Sequence, residues 1–248
     1  MIVKAAFLLV VAAATGSLMV RPMPAAAPQV QAAADAATLK GSVKIKGEIP
    51  KRGKIPVNAD PKCAAMHVKD PLLTDEVVTD AAGNVQWAFV SVKGGLGEQK
   101  FVAPKTPSLV EQKGCRFEPH VLGIMAGQEL MFRNQDALMH IVHVVPKNNK
   151  EFGFSQVRQG EERPKVFTGK ETIRLFCDVH PWMVAWIMVL DHPLYTVTGP
   201  DGKFKMKGLP PGKYTIEAWH EGYKPVTQEI EVKAKDSKTL NFEFTDRQ

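Results

Sequence analysis

The chain has 248 residues with 18 Pro and 19 Gly, an apolar content near the globular average and no long run of like charge, so it can bury a core in one large domain or two modest ones. Its net charge of +6 falls to +4 when the two charges of Lys4 and Arg21 are set aside with the N-terminal segment. That balance is too mild and too scattered for a nucleic-acid partner, and fits a solvated Lys-rich surface or a weakly basic face meeting an acidic partner.

Met1-Ile-Val-Lys4, the uncharged run from Ala5 to Ala14 and the Ala- and Pro-rich sequence that follows have the order of a secretory signal peptide, placed at 1–34. The alternative is an uncleaved anchor, for which the apolar stretch from Ala5 to Val20 is slightly short. No cysteine precedes Cys63, so nothing near the cleavage zone can carry a lipid. The mature protein is expected to be periplasmic or secreted, with no stable membrane span.

Beyond Thr38 no helical periodicity is sustained. Short β-branched and aromatic runs, bounded by Gly, Pro, Asn and Asp, predict strands at 38–46, 86–92, 121–125, 129–133, 141–145, 172–176 and 184–190, an all-β, sandwich-like class. Toward the C-terminus, Asp201-Gly202 and Leu209-Pro-Pro-Gly212 read as the turns of two hairpins between Tyr195 and Trp219. This stretch resembles the transthyretin-like sandwich called the carboxypeptidase regulatory-like domain, usually a structural or adhesive scaffold. Leu39-Lys-Gly41-Ser-Val43, Gly47, Pro50 and 86–92 resemble the first strands of the same domain. The resemblance implies a discontinuous sandwich of 38–96 plus 191–248, with a second domain inserted at 97–190; domains in simple series are the alternative.

Export places the three cysteines in an oxidising compartment, where one pairing leaves one over. Cys63 and Cys115 lie in loop-like contexts, Asp60-Pro-Lys-Cys63 and Lys113-Gly-Cys115-Arg116, whereas Cys177 stands three residues before His180 at the end of an apolar strand. A Cys63–Cys115 disulfide and a reduced Cys177 are therefore expected, the closed loop stabilising the fold by about 4 kcal/mol.

Cys177-Asp-Val-His180-Pro-Trp-Met183 presents a thiolate, an imidazole and a thioether on one loop between strands. Thiolate and thioether are soft donors that suit copper, and an axial thioether suits zinc poorly. A further ligand must come from elsewhere. The stretch from Gly127 to Val145 supplies it as a strand, a polar turn at Asn134-Gln-Asp136, and a histidine opening the next strand. His140 and His143 both offer themselves, on opposite faces, and only one can face the ion.

An upstream His with a downstream Cys-x2-His-x2-Met resembles the cupredoxins, with a loop spacing similar to that of the amicyanins, over roughly residues 100–190. The fold implied is a cupredoxin Greek-key sandwich. By that resemblance His140, Cys177 and His180 are equatorial copper ligands and Met183 the long axial one. Cupredoxins commonly carry Asn after the first His to brace the ligand loop; here Ile141 follows, which leaves the bracing open. Trp182, beside the loop, is either a packed Trp or part of an apolar patch through which a redox partner reaches the edge of His180.

Such a site implies a one-electron carrier with an unnamed redox protein as its partner. A copper oxidase or nitrite reductase carries paired His-x-His ligands, which this chain lacks, so no enzyme and no catalytic residue is expected. The alternatives are copper storage or delivery, drawing on Met139, Met183 and Met188, and a metal-free sandwich that binds carbohydrate or protein. Cys63-Ala-Ala-Met66-His67 and Cys115 to His120 offer second sites only if their cysteines are unpaired, and His192 and His220 have no soft donor near them in sequence. The whole pattern, from the Cys177 loop to Ala218-Trp-His-Glu221, resembles exported bacterial proteins described as plastocyanin-like or methylamine utilisation-like.

Overall fold

The computed structural model describes residues 35–248; the predicted leader at 1–34 lies outside them. The described chain is almost wholly β, as its sequence predicts. Its one α-helix, Pro61–Met66, and a 3-10 turn, Val57–Ala59, interrupt the strands. Among the described residues no helix is long and apolar enough to cross a membrane.

Two sheets enclose the ligand-bearing core. One runs in the order Phe152–Gln156, His140–Val144, Glu171–Cys177, Val184–Leu190, Val121–Met125, its last pair parallel. The other runs Glu162–Val166, Glu129–Asn134, Ser108–Gln112, Phe117–Glu118. Alternation explains the facing sides: in Glu129–Asn134, Leu130, Phe132 and Asn134 point inward, the first two packing with Val142, Leu175 and Ile187 of the opposite sheet.

Val184–Leu190 does not alternate, because both its faces are covered. Ala185, Ile187 and Val189 enter the ligand-bearing core, while Trp186, Met188 and Leu190 pack with Phe89, Val121, Tyr195 and Trp219 against the neighbouring sandwich. Gly123 permits that approach: a Cβ there would run into the Tyr195 and Phe89 rings.

The neighbouring sandwich also has two sheets. Ala37–Ile45 pairs with Lys203–Leu209 on one side and with Ser237–Thr239 and Phe242–Phe244 on the other. Facing it, Tyr195–Val197, Phe89–Gly94, Gly212–His220 and Tyr223–Val232 lie side by side. The two expected hairpins are therefore not hairpins. Tyr195–Val197, Lys203–Leu209 and Gly212–His220 alternate between the two sheets, because the N-terminal strands Ala37–Ile45 and Phe89–Gly94 have taken the adjacent positions. The Asp201-Gly202 turn, with Gly202 at φ 66° and Asp201 accepting from the Lys203 N–H, carries the chain across the sandwich rather than back along one sheet.

A second correction concerns the stretch 55–72, which the sequence assigns to this sandwich. Val57, Cys63 and Leu72 are buried instead in the ligand-bearing core. The bridge between Cys63 and Cys115 fastens the stretch there.

Candidate metal centre

His140 opens its strand and Cys177 ends the adjacent one, so Cys177 pairs with Val142 and the two side chains meet at one end of the sheet. His180 follows on the loop, which is closed by backbone bonds from the Met183 N–H to the His180 carbonyl and from the Cys177 N–H to the Met183 carbonyl. The structure brings together His140 Nδ1, His180 Nδ1 and Cys177 Sγ: the nitrogens are 3.1 Å apart, and the sulfur lies 4.0 Å from His140 and 3.6 Å from His180. All three residues are buried, as is Met183.

The question between the two upstream histidines is resolved by this geometry. His143 points to the other face, where its Nδ1 meets Asp178 at 3.0 Å and its ring lies on Phe176. The Asp178 carboxylate, against only a small cost of burial, raises its pKa. The bracing left open by Ile141 is done by backbone: the Ile141 N–H donates to Cys177 Sγ at 3.4 Å, and its carbonyl accepts from the Asp178 N–H.

The outer nitrogen of each inward histidine meets a carboxylate. His140 Nε2 is 3.0 Å from Asp136 Oδ2, and His180 Nε2 is 3.2 Å from Asp60 Oδ2. Burial opposes ionisation of both aspartates, but the histidines and backbone N–H groups outweigh it and hold both carboxyls below their ordinary range. An ionised carboxylate only accepts, so each Nε2 carries a proton and Nδ1 is the nitrogen each ring turns inward. Burial likewise works against the Cys177 thiolate, yet His140, His180 and the Ile141 N–H bring its pKa down to about 6.

Against the cost of burial, Cys177 and the carboxylates raise the pKa of both histidines, so in the metal-free protein Nδ1 protons bond the thiolate, and a bound ion would displace them. An ion about 2.0–2.3 Å from each of the two nitrogens and the sulfur would space them about 3.3–3.8 Å apart, close to what is seen. Two nitrogens and one soft sulfur, with a buried Met on the same loop, fit copper.

Asp60 and Asp136 are the residues that sequence reasoning missed. Asp136 is fixed by the N–H groups of Gly114 and Cys115, and its own N–H bonds to Asn134 Oδ1. Asp60 is the N-cap of Pro61–Met66, accepting from the Lys62 and Cys63 N–H groups, with Pro61 in the first turn. Asp-Pro before a short apolar stretch is a readable helix start, and it places Cys63 on a helix rather than the expected loop.

His180 is 1% exposed and capped by Asp60, so the expected access through its free edge is not there. Trp182 is partly buried beside it: its ring lies 5.2 Å from that of His180 and its indole N–H donates to the Cys115 carbonyl. Asp60, Cys63 and His180 also lie together, but Cys63 is spent in the disulfide. His67 bonds the Gly114 and Asp70 carbonyls, and His120 bonds the Val184 carbonyl and Glu221. Met139 is exposed and Met188 lies between the sandwiches, so neither joins Met183 in the buried ligand loop.

His220 is buried against Tyr223 and Phe244, and its Nδ1 accepts from the Gly222 N–H. Burial pushes its imidazole down to about 4, and burial also lowers His192. The unfolded chain therefore binds more protons between pH 6.5 and about 4, and stability, complete above 6.5, falls as pH drops through that window. Urea midpoints at pH 7.5 and 4.5 should diverge less in His220→Phe than in the parent protein.

Part of the chain is similar to a known domain family. A model of the carboxypeptidase regulatory-like domain matches residues 185–245. The match takes in most of Val184–Leu190 and the later strands of the neighbouring sandwich, whose sheets Ala37–Ile45 and Phe89–Gly94 complete from outside it. No curated protein matches the chain. Among solved structures, a copper-containing nitrite reductase from Thermus scotoductus SA-01 is 24% identical over 38% of this chain and 26% of its own, with a TM-score of 0.34. A purple cupredoxin from Nitrosopumilus maritimus is 21% identical over 33% of this chain and 97% of its own, with a TM-score of 0.29. A Cu(I) methionine-to-alanine mutant of amicyanin is 22% identical over 39% of this chain and 96% of its own, with a TM-score of 0.31. The match spans about a quarter of the nitrite reductase. The chemistry of the site rests on its own side chains.

Proposed function

We propose that this chain is an exported mononuclear copper protein that carries one electron at a time to or from a redox protein. The observation that carries the reading is the buried meeting of His140 Nδ1, His180 Nδ1 and Cys177 Sγ, with both outer nitrogens already committed to carboxylates. His140, Cys177 and His180 would hold the ion, with the thioether of Met183, buried on the same loop, as a fourth donor. Bound copper would supply the one-electron couple between its cuprous and cupric states.

The protein's part is preorganisation. Asp136 and Asp60 fix the tautomer and direction of the two imidazoles, and the Ile141 N–H steadies the thiolate. Leu138, Val142 and Met183 are buried beside them, which limits water around the sulfur. Four side-chain donors leave no position for a substrate, which favours a carrier over an enzyme.

The test is the visible spectrum of the mature protein after Cu(II) addition, beside Cys177→Ser. An intense thiolate-to-copper charge-transfer band in the parent and its loss in the variant are expected. A colourless parent without copper would overturn the reading in favour of a metal-free binding module. A colourless parent holding Cu(I) would move it to copper storage or delivery.

A further inference from the structure

The metal centre is roofed by a segment that donates no proposed ligand. Asp60 lies 120 residues before His180, yet its carboxylate rests on the His180 Nε2. Three ties hold that roof. Cys63 is bridged to Cys115, Lys62 Nζ donates to the Ala137 carbonyl at 2.9 Å, and His67 Nε2 bonds the Gly114 carbonyl at 2.9 Å. Each tie lands on a loop that also serves the other histidine: Gly114 and Cys115 give their N–H groups to Asp136, and Ala137 follows it.

We propose that Asp60 is a positioning residue for the copper, closing the outer edge of His180 and favouring the cupric state, with the Cys63–Cys115 bridge as the clamp that holds its carboxylate in place. The inference rests on the copper reading above. Its physical basis is charge. A carboxylate accepting from the outer N–H makes an imidazole a stronger donor, and a fixed negative charge near the ion favours the higher of two positive charges. The side chain of Asp60 is only a quarter exposed, so water screens it incompletely. It also covers the nitrogen through which solvent or a chelator would approach, since His180 itself is 1% exposed.

The experiment uses the copper-loaded mature protein with Asp60→Asn, Asp60→Ala and Asp60→Glu. Asn is as good a helix cap as Asp, so Asp60→Asn keeps the helix start while it removes the charge and the acceptor facing the His180 Nε2. Its preference for Cu(I) over Cu(II) should rise about tenfold, read as a rise of about 59 mV in reduction potential. Asp60→Ala should in addition surrender Cu(II) to EDTA several-fold faster, and Asp60→Glu should recover part of the potential. The Cys63→Ser/Cys115→Ser double variant should move potential and EDTA capture in the same directions.

A purely structural Asp60 would lower Tm in the Ala variant and leave the Asn variant at the parent potential, which would overturn the proposal. So would a double variant that shifts while Asp60→Asn does not, because the clamp would then act through Asp136. Loss of the charge-transfer band in the parent itself would strike the copper reading and is read before any variant is compared.

Discussion

Asp136→Ala is expected to cost about 3–5 kcal/mol of stability in the metal-free protein, because it leaves a buried network without its acceptor. Asp136 is 5% exposed, and its two oxygens take the N–H groups of Gly114 and Cys115 and the Nε2 proton of His140. Ala leaves all three donors without their acceptor. The same change frees the His140 ring to turn or to exchange tautomers, so its Nδ1 is no longer held toward the ion by Asp136. Copper affinity should fall about 10- to 100-fold, the usual effect of removing the partner of a metal-bound histidine. Urea unfolding of the metal-free protein and competitive copper titration at fixed pH measure the two losses separately. Asp136→Asn is the informative companion. Its amide oxygen can occupy the Oδ2 position and accept from both Cys115 and His140, leaving only the Gly114 N–H opposed by an NH2 group. It should retain more stability than Ala while still losing affinity, because the charge behind the imidazole is gone. Equal stability in the Asn and Ala variants would show that charge, not hydrogen-bond count, holds this corner together.

Why these two aspartates escaped the sequence is a matter of chain distance. Cys177, His180 and Met183 share a loop, and His140 announces itself as a histidine at a strand mouth, so local spacing suffices to collect them. The odd cysteine, read with the exported context, was enough to pair Cys63 with Cys115, as the structure has it. Asp60 carries a local signal, but that signal concerns a helix start. Nothing between residues 60 and 180 says that its second oxygen reaches a histidine 120 positions away. Asp136 sits in a visible polar turn, yet its role depends on the Gly114–Cys115 loop folding over it. The misjudged hairpins have the same origin. Asp201-Gly202 is a sound turn, but a turn fixes a change of direction and not which strand will be the neighbour; here two strands from the N-terminal part of the chain take those places. Val184–Leu190 shows the converse. Its unbroken apolar run records burial on both faces, and so encodes the contact between the sandwiches directly in sequence.

That contact raises the question of how far the two sandwiches depend on each other, and Gly41→Ala addresses it. Gly41 lies in Ala37–Ile45 where the neighbouring chain changes from Ser237–Thr239 to Phe242–Phe244. At the break, the Leu240 N–H bonds to the Lys40 carbonyl, and Asn241 Oδ1 accepts from the Ser42 N–H. A Cβ on Gly41 would land on the Leu240 carbonyl, which is backbone and pinned on both sides. The strand or its neighbour must therefore shift, at a cost of about 3 kcal/mol. For a chain of this size that is a fall of about 6–12 °C in Tm. The proposed metal ligands all belong to the other sandwich, so the copper charge-transfer band at room temperature should keep its full intensity in this variant. Copper held by the proposed ligands would bind only the folded sandwich that carries them and would stabilise it by mass action. If Phe89, Val121, Met188 and Tyr195 join the two cores only weakly, heating should then show an early transition that copper does not move and a later one that it raises. A single transition, lowered by Gly41→Ala and raised throughout by copper, would mean instead that this aromatic contact makes one cooperative unit of the whole chain, and that a change in the scaffold is felt at the metal.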